Sequence, residues 1–288
     1  MPAHPLPAIP SHSVWATKKA QDAEASFYEA TNLPEPVWRE RFAWEMRAAH
    51  SLFTNLVKRV YLFAHDAVEQ DDLLNYLGFS EVAIYQVYNH HHFEETVIFP
   101  YLIEHGADRA SLEGNVQDHH TFTRAMDATW LYIRRVRALL PDAARYPSPV
   151  PEPDEEIQTI DIVGEYGLDP SKGFDPTLLQ KHMDTWLGTM MDHMLEEIDT
   201  IGPSMTEAVG EENLKQLGVI VLKHLQAYDP KWFLCSSFAT VNMDCCKTLL
   251  KLPYLVRRIL VPYVWAGKYW GMWQYCEHPE NLTWAGTA

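Results

Sequence analysis

Apolar residues along this chain recur at helical rather than strand spacing. Between Val37 and Glu69 the residues Met46, Phe53, Val57, Tyr61 and Ala64 follow one another at intervals of three, four or seven, the stripe of an amphipathic helix. Gly78-Phe79-Ser80 then offers a stop and a candidate N-cap, after which Ala83, Val87, Val97 and Tyr101 mark a second helix ending near Gly106. A third stripe, Val116, Phe122, Met126, Trp130 and Ile133, runs to Pro141, whose ring and missing N–H end a helix. The prolines at 141, 147, 149, 151 and 153, followed by Asp154, Glu155 and Glu156, predict a long crossover connection over 141–174. Asp175-Pro176 reads as an N-cap with a first-turn proline, and Trp186, Met190 and Ile201 give a fourth stripe closed by Gly202-Pro203. Thr206 to Tyr228 reads as a fifth helix.

The pattern is therefore all-α, with no strand alternation and no Gly-rich phosphate loop to rival it. The predicted architecture is an antiparallel four-helix bundle over 37–202, including the crossover. A Pro-rich, aperiodic arm over 1–36 lies on its surface or on its core. A helical, aromatic-rich extension over 203–288 packs on the bundle, and its tryptophans (Trp232, Trp265, Trp270, Trp273, Trp284) read as core.

Composition narrows the class. The 288 residues carry 39 acidic against 23 basic side chains, a formal charge of −16, which argues against a nucleic-acid or anionic-membrane partner. At 47% hydrophobic residues the chain can bury a sizeable core, which excludes general disorder. Cys235, Cys245, Cys246 and Cys276 are too few and too unevenly placed for a disulfide framework, and the Cys245-Cys246 pair reads as packing. With neither a signal-peptide pattern nor an apolar run long enough to span a bilayer, the expectation is a soluble cytoplasmic protein, in which Asn281-Leu-Thr is a chance glycosylation triplet.

The chemistry lies where each stripe is interrupted. A bundle core should be apolar, because an unpartnered buried charge is costly. Yet His50 falls between Met46 and Phe53, His90 and Glu94 lie among Ala83, Val87, Val97 and Tyr101, His119 falls between Val116 and Met126, and His193 and Glu197 lie between Met190 and Ile201. Residues four apart on a helix are one turn apart, so each His-x-x-x-Glu pair can aim an imidazole and a carboxylate at one spot. One such pair is often a surface pair; two, with two more histidines on the remaining stripes, predict a metal site. Imidazole and carboxylate without thiolate suit iron or manganese, and zinc is compatible with the same donors. His65, His105 and His224 read as ordinary histidines, and His182 as little more. His91 with Glu95 repeats the His90–Glu94 spacing, so the register of that pair stays open.

These residues resemble a known family. The run His90-His91-His92-Phe93-Glu94-Glu95-Thr96-Val97-Ile98-Phe99-Pro100 looks like the helix signature of hemerythrin-like, or HHE cation-binding, proteins, in which His precedes a Glu-Glu pair and a Phe-Pro. His193-Met194-Leu195-Glu196-Glu197-Ile198 resembles the last-helix motif, and Gly114 to His119 and Met46 to His50 resemble the third and first. The resemblance extends from Trp44 to Gly202, and the crossover, proline start and aromatic tail are similar to those of fungal members. It implies a non-haem site for two iron ions, with His50 and His90 on one ion, His119 and His193 on the other, and Glu94 and Glu197 bridging. The distance from Glu-Glu to Phe-Pro favours His90 with Glu94. In oxygen-carrying members a further histidine follows the third-helix one by four residues; here that residue is Thr123. Four histidines and two glutamates are similar to the set of the bacterial iron–sulfur repair di-iron proteins.

Fewer protein ligands mean more open coordination positions, which favour activation over carriage of oxygen. The expected function is binding and activation of O2 to oxidise a small organic substrate, with Thr123 as a catalytic hydrogen-bonding group. The alternative is a module that holds iron, O2 or nitric oxide for storage or sensing. No nicotinamide or flavin fingerprint identifies an electron donor.

Overall fold

The computed structural model describes residues 3–283 of the chain. Among these the regular structure is helical throughout, without strands. No helix is long and apolar enough to cross a membrane.

The chain enters through α1 (Lys18–Asn32), capped by the Thr17 side chain, which accepts from the Ala20 amide. This helix corrects the expectation of an aperiodic arm. Its inward stripe is Ala20, Ala23, Phe27 and Ala30, and it packs along α2 with Trp15 fully buried ahead of it. Alanines carry little hydrophobic contrast, which hides the period, but they let two helices approach closely. The Trp44 indole N–H donates to the Ala30 carbonyl at 2.8 Å and fixes the junction.

Helix α2 (Trp38–Glu69) follows the first stripe. Helix α3 (Leu73–Phe93) starts earlier than Gly78-Phe79-Ser80 suggests: Gly78 and Ser80 lie inside it, and the Ser80 hydroxyl donates to the Tyr76 carbonyl at 2.8 Å. The glycine marks a close approach rather than a stop, since a Cβ there would lie 3.0 Å from the Met272 sulfur. Helix α3 runs into one wide π turn, Glu94–Ile98, and continues as α4 (Phe99–Glu104). Pro100 accounts for the wide turn physically, because it has no N–H for the preceding helical carbonyl and its ring needs room there.

Helix α5 (Arg109–Ala138) begins at Asp108, whose carboxylate accepts from the Ser111 amide at 2.9 Å. The connection that follows carries two short helices, α6 (Glu155–Gln158) and α7 (Ile162–Tyr166), both packed on α5. It is anchored by buried Glu81, which meets Arg134 at 3.0 Å and also the Ser148 hydroxyl. The fourth stripe breaks into α8 (Pro176–Met183) and α9 (Leu187–Thr200), with Asp175 capping α8 as expected. Helix α2 packs on α3 and α9, and α5 packs on the same two.

The predicted fifth helix also divides, at Gly210 with φ +86°, into α10 (Pro203–Val209) and α11 (Glu211–Ala227). Beyond it come α12 (Phe233–Thr240), α13 (Met243–Leu250), a π-helical segment (Val256–Trp265) and α14 (Trp270–Trp273). Trp232 and Trp273 are buried and Trp265 and Trp270 half-buried, while Trp284 lies outside the described residues. The extension returns to α2 and α3: Gln86 donates to Ser236 at 2.6 Å, Arg59 donates to the Tyr275 carbonyl at 3.1 Å, and the Tyr275 hydroxyl donates to Asp72 at 3.0 Å. All four cysteines are free and buried.

Because Phe27 is fully buried against α2, Phe27→Ala should cost about 3–5 kcal/mol of unfolding free energy. Urea denaturation followed by circular dichroism measures this, and a change within about 0.5 kcal/mol would show α1 detached in solution.

Candidate metal centre

The interruptions of the four stripes meet in the interior. Helix α2 contributes His50, α3 with its π turn contributes His90, His91 and Glu94, α5 contributes His119, and α9 contributes His193 and Glu197. Four triads of these residues have donor atoms within 4.8 Å of one another: His91, His119 and His193; His50, His90 and Glu197; His90, His91 and Glu94; and Glu94, His119 and Glu197. His50, Glu94, His119 and Glu197 are fully shielded from solvent, His91 and His193 nearly so, and the His90 side chain keeps 12% exposure. All six histidines and glutamates expected from the sequence are thus brought together, and His91 joins them as a fifth histidine.

Two halves can be distinguished. His50 and His90 form one group with Glu197, and their rings are edge-to-face at 5.6 Å. His91, His119 and His193 form the other, with the His91 and His119 rings 4.3 Å apart and the Nε2 atoms of His119 and His193 separated by 2.8 Å; His91 also groups with His90 and Glu94, its ring 5.3 Å from that of His90. The two carboxylates span the halves. Glu94 approaches His90 Nε2 through Oε1 (3.0 Å) and His119 Nε2 through Oε2 (3.7 Å). Glu197 Oε2 lies 3.1 Å from His50 Nε2 and 3.8 Å from His193 Nε2.

The two shorter approaches fall within hydrogen-bond distance without forming a hydrogen bond, and the two longer ones lie beyond it. Both nitrogens of His50 and of His91, His90 Nε2, His193 Nδ1 and all four oxygens of Glu94 and Glu197 are buried without a hydrogen-bond partner. Unpaired buried polar atoms are rare and expensive, and so many in one place require an explanation. Lone pairs that converge on common points rather than on each other's protons are the arrangement a cation needs, so the residues present fit a metal centre.

The electrostatics agree. Burial, reinforced by neighbouring imidazoles, holds His90 and His91 well below the usual histidine range, and burial holds His193 at about 3. They are therefore neutral, the state in which imidazole binds metal. Burial and the charge of Glu197 push the Glu94 carboxyl well above its ordinary value. In Glu197 burial acts in the same direction but is outweighed by His50, His193 and His90, which pull that carboxyl down. Of the two carboxyls, Glu94 is thus the one whose protonated form its surroundings favour.

Around the cluster, Glu95 accepts from His119 Nδ1 at 2.8 Å and fixes the tautomer that presents Nε2 inward. So the pairing of His91 with Glu95 does not replace that of His90 with Glu94: His91 faces inward beside His90, and Glu95 serves His119 from outside. Thr123, one turn beyond His119, is half-buried, and among the described residues no hydrogen bond ties it to the cluster. The expectation of four histidines is revised accordingly; the fifth comes from α3 and not from α5. Sequence offered the triple His90-His91-His92 as a signal, but only the packing separates inward His91 from exposed His92. The histidines set aside are accounted for locally: His182 bonds the Ala125 carbonyl, His105 the Tyr101 carbonyl, His224 stacks on Phe93 at 3.7 Å, and His65 is exposed.

Comparison with known protein families, with curated proteins and with solved structures finds no match to this chain.

Two outcomes follow from the centre's geometry. Replacing Glu95 with Gln should weaken metal binding by about 10–100-fold while leaving the fold intact, as measured by competition with a chromogenic chelator and by circular dichroism. The metal-stripped protein should also lose stability on acidification. Each depressed histidine (ordinary value 6.5) takes up a proton on unfolding below that pH, whereas Glu94 (ordinary value 4.5) releases one above its own. For the centre, three protons gained less one released leaves a net uptake of about two between pH 4.5 and 6.5, or up to ~3 kcal/mol per pH unit lost as pH falls, to which the lowered His182 and His224 add in the same direction. Urea titrations across pH 5–7 check this, and a flat profile would mean solvated histidines.

Proposed function

We propose that this chain is a non-haem di-metal protein of the hemerythrin-like kind. On this reading α2, α3, α5 and the α8–α9 pair form the four-helix bundle, two iron ions occupy the centre, and the protein uses O2 to oxidise a small organic substrate. The observation that carries the reading is the set of unpaired buried donors on His50, His90, His91, His193, Glu94 and Glu197. Manganese or zinc fits the same donor types.

A pair of redox-active ions held by these residues would supply one-electron changes and open coordination positions for O2. The chain's own residues do the rest. Glu94 and Glu197 neutralise ionic charge and reach toward both halves, so a change in oxidation state need not displace a helix. His119 is held by Glu95, and the remaining imidazoles are held by packing, His50 against Phe27 at 5.2 Å and His193 against Phe122 at 5.8 Å. Shielding from bulk water strengthens each of these interactions and excludes side reactions.

One observation favours the oxidising function, and one favours the alternative. A cavity of about 580 Å³ reaches His90, which suits an organic substrate. The fifth histidine, His91, leaves fewer positions open on its half, which suits reversible binding of O2 or nitric oxide in a storing or sensing module.

The purified protein should contain close to two ions per chain by mass spectrometry, and His90→Ala and His193→Ala should each lower that content by about half or more. Less than about half an ion per chain, unaffected by either substitution, would dismiss the metal reading. Admitting O2 to the reduced, iron-loaded protein then separates the two functions: a stable, reversible optical band marks binding, whereas decay quickened by an organic substrate marks turnover.

A further inference from the structure

The cavity that reaches His90 lies between α2 and α3 on one side and α11, α12 and α13 on the other, so the C-terminal extension forms one wall of it. At about 580 Å³ it is within the size range of small-molecule sites. Aromatic and branched aliphatic side chains dominate its lining, among them Phe42, Phe53, Phe93, Phe233, Leu217 and Leu225. Of the seven clustered histidines and glutamates, His90 alone is part of the lining, and the Phe53 ring lies 4.6 Å from the His90 ring.

Polar groups in the cavity are few, and their positions differ in character. Beside His90, the Asn89 side-chain amide donates to the Tyr228 oxygen. That phenol oxygen is already an acceptor, and among the described residues its own hydrogen is given to no partner. Burial pushes Tyr228 up to about 12, so it stays a neutral donor. The charged lining residues compensate one another: Arg41, Lys215 and Lys251 stand against Glu35, Glu45 and Glu211. Arg41 meets Glu35 at 2.6 Å and Glu45 at 2.8 Å, and Lys215 meets Glu211 at 3.0 Å. Such a lining offers no net charge to select an ionic ligand.

We propose that this cavity binds an uncharged, mostly apolar aromatic molecule whose oxygen-bearing end accepts a hydrogen bond from Tyr228 beside His90. The proposal rests on the reading of the centre as an oxidising one, since it gives that centre its substrate class. Stacking on the phenylalanines supplies most of the binding, and the Tyr228 hydroxyl orients the ligand so that its oxygenated carbon faces His90. The C-terminal extension thereby acquires a role: its α11–α13 helices close the substrate site.

A test uses 1-naphthol as the probe, titrated calorimetrically into the full-length protein, both metal-stripped and metal-loaded. One molecule should bind per chain. Tyr228→Phe should weaken 1-naphthol about tenfold while leaving 1-methylnaphthalene unchanged. Naphthalene-2-sulfonate should bind far more weakly than 1-naphthol. In protein loaded with manganese rather than zinc, the proton relaxation of bound 1-naphthol should be strongly enhanced.

No saturable binding, equal loss of both neutral probes on Tyr228→Phe, or preference for the sulfonate would overturn the assigned ligand class. Binding without manganese-enhanced relaxation in loaded protein would overturn its placement at the centre. Failure to take up metal at all would instead remove the parent reading, while the titration of the stripped protein would still decide whether the cavity takes this ligand.

Discussion

The structure depends on the electrostatic cost of its own interior. Two carboxylates and five imidazoles are enclosed where water cannot solvate them, and most of their donor atoms find no protein partner. Each unsatisfied group of this kind costs about 1–3 kcal/mol, more when it is charged, against a net folding stability of roughly 5–15 kcal/mol. Hydrophobic replacements of similar volume would relieve that cost, as buried ion pairs elsewhere illustrate. A cation would relieve it in another way, by attracting both Glu94 and Glu197. The surrounding helices therefore enclose a centre that is costly on its own and that a bound cation would compensate.

That enclosure has a visible construction. The π turn after α3 adds one residue to the helical repeat, and the buried face moves from the expected Val97 and Tyr101 to Ile98, Phe99 and Leu102. The shift lets Glu94 face inward while Glu95, its neighbour, reaches His119 from outside at 2.8 Å. Wide turns of this type are found frequently at functional sites, where they redirect a side chain without ending the helix. Outside the cluster, α1 closes α2 through Phe27, and the C-terminal helices close α2 and α3, so the centre is covered by segments beyond the expected bundle.

The parts that could be read from the sequence were those with high contrast. Histidine and glutamate among Val, Met and Phe at helical spacing stand out, which is why all six expected residues of the cluster meet in space. The Asp175-Pro176 start and the Gly106 stop are equally plain, because each has a specific backbone reason. Low-contrast features were hidden. Helix α1 presents mostly alanines, whose burial depends on a neighbour that sequence alone does not supply. Gly78-Phe79-Ser80 has the chemistry of a boundary, but close packing by Met272 and a hydroxyl bonded to Tyr76 account for it inside a helix. His91 could not be told from His92 because a single register step separates buried from exposed. Thr123 was chosen by position relative to His119, and no bond from it to the cluster is present among the described residues.

The fifth histidine changes how the proposed centre divides its work. The half containing His50 and His90 has two imidazoles and adjoins the apolar cavity through His90. The half containing His91, His119 and His193 has three, is packed against Phe122 with ring separations of 5.2–6.2 Å, and is braced by Glu95. A metal ion with fewer protein ligands keeps more positions for exogenous ones. On the proposed reading, the less-ligated ion would thus lie on the side from which an organic molecule arrives, while the better-ligated ion is held rigidly behind it. Glu94 and Glu197, which reach toward both halves, would then be shared between the two. Asymmetry of this sort does not require different metals, only the unequal distribution of imidazoles that the α3 register imposes.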